Sequence, residues 1–64
     1  MPSEKRVYLA DNWQVLGDFH LEHKTVAAIA AARHKTDGHV RGVISGAWAI
    51  GITTSDVAAY LRSA

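Results

Sequence analysis

Thr25-Val26-Ala27-Ala28-Ile29-Ala30-Ala31-Ala32-Arg33-His34-Lys35-Thr36-Asp37-Gly38-His39-Val40-Arg41-Gly42-Val43-Ile44-Ser45-Gly46-Ala47 is the stretch on which the fold turns. Its first part is rich in alanine, the residue of highest helix propensity. Thr25 stands before it as an N-cap. Val26, Ile29 and Ala30 recur at three- and four-residue spacing, which predicts an amphipathic helix over 26–34. The polar run His34-Lys35-Thr36-Asp37-Gly38 then breaks the pattern. Thr36 or Asp37 caps a further helix over about 37–50. In that helix Val40, Val43, Ile44 and Ala47 face inward, and His39, Arg41, Gly42 and Ser45 face out.

Upstream, Asp11 and Asn12 are good N-cap residues for a helix in which Trp13, Leu16, Phe19 and His20 share one face. Gly17 weakens that helix by roughly 1 kcal/mol against alanine. Lys5-Arg6-Val7-Tyr8-Leu9-Ala10 is partly β-prone and reads three ways: edge strand, docked arm, or lead-in to the helix. Downstream, Gly51 fits a helix C-cap with Ile52 packing back over the end. Thr53-Thr54-Ser55-Asp56 offers several caps to a last helix, Val57-Ala58-Ala59-Tyr60-Leu61-Arg62. The expectation is one small all-α domain of four helices over 1–64, with 1–10 as a short extended arm or lead-in. Trp13, Phe19, Trp48, Tyr8 and Tyr60 fall at helical spacing with other apolar residues, so they are assigned to the core.

The whole chain has 64 residues, and a domain of that size buries only ~60% of the surface its unfolded form exposes. Eleven of its apolar residues are alanine, which fills little volume. There is no cysteine, which excludes disulfides, thiolate metal sites and a cysteine nucleophile. The apolar run 43–52 is too short for a membrane span and is broken by Gly46 and Gly51. The amino terminus lacks the apolar core of a signal peptide, so a cytoplasmic location with no membrane partner is expected.

Formal net charge is +1, unevenly spread. Residues 24–41 carry Lys24, Arg33, Lys35 and Arg41 against Asp37 alone, a local basic excess that suits an anionic partner. Each of these has a plainer explanation. Arg33 complements the macrodipole at a helix end, Arg41 pairs with Asp37 one turn earlier, and the lysines are ordinary solvated residues. Lys5 and Arg6 read as a frayed basic terminus ahead of a minor-groove arm. The four histidines lack the spacing of a zinc hydrolase, and a structural zinc without cysteine is uncommon, so neither metal nor cofactor is expected. Ser45 and Ser55 have no Ser-His-Asp arrangement around them and no glycine-rich phosphate loop exists. An enzyme is not expected.

Ile29-Ala30, a polar turn, Val40 ten positions after Ala30 and Val43 three further on follow the helix-turn-helix template, in which a small residue at 30 lets two helices cross closely. Thr36-Asp37-Gly38-His39-Val40-Arg41 resembles the opening of the recognition helix in region four of bacterial sigma factors and in the tetrahelical LuxR-type DNA-binding domain. Ala49-Ile50-Gly51-Ile52 and Thr53-Thr54-Ser55-Asp56-Val57-Ala58 are similar to the turn into the fourth helix of the LuxR type. The template carries apolar residues at 33 and 35 and glycine at 34. Arg33, His34 and Lys35 stand there instead, which predicts a longer, more open or more basic turn.

On this resemblance the chain is expected to bind double-stranded DNA, with the helix at about 37–50 in the major groove. His39, Arg41 and Ser45 are the expected base contacts. Lys24, Arg33, Lys35 and Thr36 are the expected phosphate contacts, which position without specifying. One such module buries ~600–1,000 Å² on DNA, too little for tight specific binding, so a homodimer is expected. Val57, Tyr60 and Leu61 of the last helix are its expected interface, the role that helix has in the LuxR type. The rival is a helical protein-interaction module, an inhibitor or adaptor with a protein partner and no DNA binding. The sparse side chains at Gly42 and Gly46 and the nearly balanced charge favour that rival.

Overall fold

Tyr8 and Leu9 precede Val15 and Leu16 by seven residues, two helical turns, so the apolar stripe of the first helix continues back beyond Asp11. In the computed structural model, which describes residues 2–63, this continuity decides the amino-terminal structure. Helix α1 runs Ser3–His20, followed by α2 (Val26–Arg33), α3 (Asp37–Ala49) and α4 (Thr54–Ser63). The all-α, four-helix expectation holds. The extended arm does not: from Ser3 onward the first ten residues are helical, and Leu9 is fully buried. Burying Leu9 and Leu16 on one face outweighs the weak β-propensity of Val7 and Tyr8.

Asn12, expected as the cap that starts the helix, bends it instead. Its backbone leaves the helical region (φ −131°, ψ 17°), and its side-chain Nδ2 donates to the Tyr8 carbonyl at 3.0 Å. An Asn side chain competing for a helical carbonyl is the local event that breaks the ladder.

Helix α2 starts where Thr25 Oγ1 accepts from the Ala28 N–H, and α3 where Thr36 Oγ1 accepts from the His39 N–H. Only residues 34–36 separate them. The turn is therefore short, contrary to the longer or more open one that Arg33-His34-Lys35 suggested. His34 takes the left-handed conformation (φ 57°, ψ 45°), and the Lys35 N–H closes onto the Ala30 carbonyl at 2.9 Å. A histidine thus performs the geometric task that the template gives to glycine, at a steric cost of roughly 1–2 kcal/mol. The His34→Gly protein is expected to be more stable by about 0.5–1 kcal/mol, because glycine's larger unfolded-state entropy offsets part of the relief. A melting temperature unchanged or lower in that variant would contradict this account of the turn.

Helix α3 stops as expected: Gly51 has φ +82°, the Ile52 N–H reaches the Ala47 carbonyl at 2.9 Å, and Ile52 is fully buried over the helix end. At the start of α4, Thr53 and Asp56 cap each other reciprocally, Thr53 N–H to Asp56 Oδ2 and Asp56 N–H to Thr53 Oγ1. The Thr53 backbone bond, with smaller help from the Thr53 hydroxyl and Lys5, holds the Asp56 carboxyl below its ordinary range.

The core comprises Leu9, Val15, Leu16, Ile29, Ala30, Val40, Val43, Ile44, Ala47, Ile52 and Val57. Among the described residues helix α1 packs against the other three, α2 also packs against α3, and α4 rests on α1. The expected Ile29–Ala30 and Val40–Val43 anchors are all buried. Of the aromatic residues assigned to the core, Tyr8, Phe19 and Tyr60 are half-buried against it. The two tryptophans are not core: Trp13 is 43% and Trp48 54% exposed. The eleven buried apolar side chains that form the interior are all aliphatic. Among the described residues no helix is long and apolar enough to cross a membrane.

Candidate nucleic-acid interface

Asp18 is 1% exposed and joins α1 to the end of α2. Arg33 grips it with two parallel bonds, Nε to Oδ2 at 2.9 Å and Nη2 to Oδ1 at 3.0 Å. Lys24 Nζ lies 3.7 Å from the same carboxylate and 3.7 Å from Glu22. The Arg33 hydrogen bonds, and secondarily the charges of Arg33 and Lys24, hold the Asp18 carboxyl below its ordinary value. Two of the four expected phosphate contacts are thus placed against acids. Lys35 and Arg41 are exposed and, among the described residues, have no acidic partner. The alternative pairing of Arg41 with Asp37 does not form. Thr36 keeps its hydroxyl on the α3 cap.

The three expected base contacts do not share one face. At about 100° per residue, Arg41 and Ser45 lie one turn apart on the outward side of α3, and His39 lies about 200° from Arg41. His39 is on the flank nearest α1, where it lines a cavity of about 270 Å³ with Asn12, Trp13, Gln14, Arg33 and Lys35. Gly42 lies on the outward side, with nothing near the position a Cβ would occupy. Gly46 is different: a Cβ there would collide with the Tyr8 hydroxyl, which donates to the Val43 carbonyl at 2.7 Å. The two glycines spaced by four therefore serve separate ends, one a smooth exposed face and the other a close crossing of α1 and α3.

On the opposite flank, His20 Nδ1 is 2.9 Å from Thr54 Oγ1, and the ring stacks edgewise on Phe19 and Trp48 with centroids 5.2 and 5.0 Å apart. Its Nε2 is buried without a partner, and burial pushes its pKa below the ordinary 6.5. The folded chain holds this imidazole neutral while the unfolded chain protonates it. Stability is therefore expected to fall as pH drops through 6.5 towards the lower folded value. Thermal melts at pH 7.5 and 5.5 check this. The decrease between the two should shrink in His20→Phe, and an equal decrease in both proteins would show that His20 is not its source.

Val57 was expected at a dimer interface and is instead fully buried in the core beneath α4. Its position one turn before Leu61 puts it on the inward side of a short helix, within the core cluster. Tyr60 and Leu61 remain half-buried. Leu61 shares a shallow apolar depression of about 200 Å³ with the exposed Trp13 and Leu21. Sequence reasoning missed Asn12, Trp13 and Gln14 as neighbours of the α3 start, and Asp18 as the anchor of Arg33. The polar residue Asp18, three after the buried Val15 on the same helix face, was the available signal for the anchor. Among the described residues no three histidine or acidic side chains are grouped to hold a metal ion.

No protein-family model matches the chain, no curated protein is significantly similar to it, and no solved structure matches its fold.

Proposed function

We propose that this chain is a sequence-specific DNA-binding protein, a small transcriptional regulator or recombination accessory factor that lays α3 in the major groove and acts as a dimer. The observation that carries this reading is the outward side of α3. Among the described residues no other element covers it from Arg41 through Gly42 to Ser45, and the exposed Lys35 stands at its entry with no acidic partner. A helix so presented fits a groove ~12 Å wide, and an unpaired arginine on it suits the O6 and N7 of guanine. The short turn between α2 and α3, with its left-handed first residue, fixes the presentation. With Val57 buried, Tyr60 and Leu61, extended by the exposed Leu21, form the face for a second copy.

Fluorescence anisotropy of mixed-sequence duplex DNA against salt tests the proposal. Affinity should fall steeply with salt and fall again in the Arg41→Ala, Lys35→Ala double variant. No binding at about 50 mM salt, where phosphate contacts are strongest, would refute it. The second reading, a protein-interaction module, is favoured by the exposure of both tryptophans and Leu21. Aromatic residues of that kind are enriched in protein interfaces. It forecasts a protein partner and no salt-dependent affinity for DNA.

A further inference from the structure

We propose that the cavity between the bend of α1 and the start of α3 seats one phosphodiester of a DNA backbone, held by Lys35, Arg33, His39 and the side-chain amide of Gln14. This inference rests on the DNA-binding reading and says where one strand of the duplex lies. The cationic Arg33 and Lys35 and the imidazole of His39 reach this cavity from three consecutive pieces of chain: the end of α2, the turn, and the first turn of α3. Lys35 has no acidic partner among the described residues.

Arg33 contributes differently. Its Nε and one Nη are fixed on the buried Asp18 carboxylate, so its remaining Nη1 edge is held in place before any ligand arrives. An arginine anchored in this way loses little side-chain freedom on binding. The Asp18 charge also offsets that of Arg33, so the remaining positive charge on the lining is that of Lys35, with Asp11 opposing it. A singly charged phosphodiester matches such a site better than a doubly charged phosphomonoester does.

The bend supplies the space. With Asn12 outside the helical conformation and its amide spent on the Tyr8 carbonyl, α1 turns away and leaves the cavity between Gln14 and His39. Trp13, 43% exposed, forms an apolar wall suited to the sugar next to the phosphate. Asp11 also lines the cavity and opposes an anion. That opposition gives the proposal a test of opposite sign.

The test is a ¹⁵N-resolved NMR titration of the full chain with mixed-sequence duplex DNA at low salt, paired with anisotropy of variants. The two indole N–H groups report separately, Trp13 on the cavity wall and Trp48 on the opposite flank of α3. The Trp13 indole, the Gln14 side-chain amide and the Lys35 amide are expected to shift. Lys35→Gln should weaken binding about three- to tenfold and reduce the salt slope by about 1. Asp11→Asn should tighten binding severalfold. Lys35 and Asp11 are both exposed, so neither variant threatens the fold.

If the duplex binds with salt-dependent affinity that Arg41→Ala weakens, yet Lys35→Gln and Asp11→Asn change nothing and the cavity resonances stay still, the seat is overturned and the DNA-binding reading survives. If the duplex does not bind, both fall.

Discussion

The Arg33→Ala protein is expected to lose much of its stability at neutral pH, and the gap to the parent protein should narrow on acidification. Asp18 is enclosed to 1% exposure and cannot turn to water when its partner is removed. A buried carboxylate left uncompensated costs about 3–5 kcal/mol, and Lys24 at 3.7 Å places Asp18 near the lower end. A 64-residue domain has only about 3–10 kcal/mol to lose. The sign of the pH effect follows from the lowered Asp18 pKa. In the parent protein the pair contributes fully above the ordinary carboxyl value of 3.8 and is lost as pH falls through the folded value. Once Asp18 is protonated in both proteins, the missing guanidinium matters less. Urea unfolding at pH 7 and at a series of values from 3.8 downward measures the gap. A gap that stayed constant would mean that Arg33 stabilises by packing and not by pairing. The reciprocal change should be milder, because Arg33 in Asp18→Asn is part-exposed and can hydrate its charge.

Leu9→Ala should destabilise by about 2–5 kcal/mol, the range for emptying a fully buried leucine site. For a domain of this size each kcal/mol corresponds to about 4–8 °C of melting temperature, so a fall of more than about 10 °C is expected. Val7→Ala, two residues away and 59% exposed, should stay within about 0.5 kcal/mol of the parent. The pair discriminates between two structures. An extended arm would leave both variants near the parent, and a docked helix separates them widely. Equal, small effects would overturn the description of α1.

Where the sequence was legible, the cause was local. Thr25, Thr36 and Gly51 mark helix ends by hydrogen bonds or a left-handed backbone within a few residues, and all three were readable from spacing. Ala30, Val40 and Val43 were readable because helical period alone assigns them to one side. The failures involve partners distant in the chain. Asp18 and Arg33 are fifteen residues apart, and Tyr8 meets Val43 across thirty-five. No period links such positions. Asn12 misled because cap and kink use the same chemistry, an amide competing with the backbone; which results depends on whether the preceding segment has a core to join. The tryptophans misled because hydrophobicity predicts a wish for burial and says nothing of the space available. In the candidate interface, Arg41 and Ser45 were legible as outward residues. The company of His39 depends on how α1 crosses α3, which Gly46 permits and no local pattern reveals.

Among the described residues helix α4 packs on α1, through Leu61 over Gly17, Thr54 beside His20 and Lys5 beside Asp56, with Val57 buried in the core. The molecule is therefore a three-helix body with α4 joined to it on the α1 side. Amide hydrogens of α4 would exchange with solvent by an opening that leaves α1, α2 and α3 associated, while those of the second half of α1 would wait for a larger event. A chain so small then has two thresholds of disassembly. The lower one exposes Val57 and Gly17 while the α2–α3 pair stays intact.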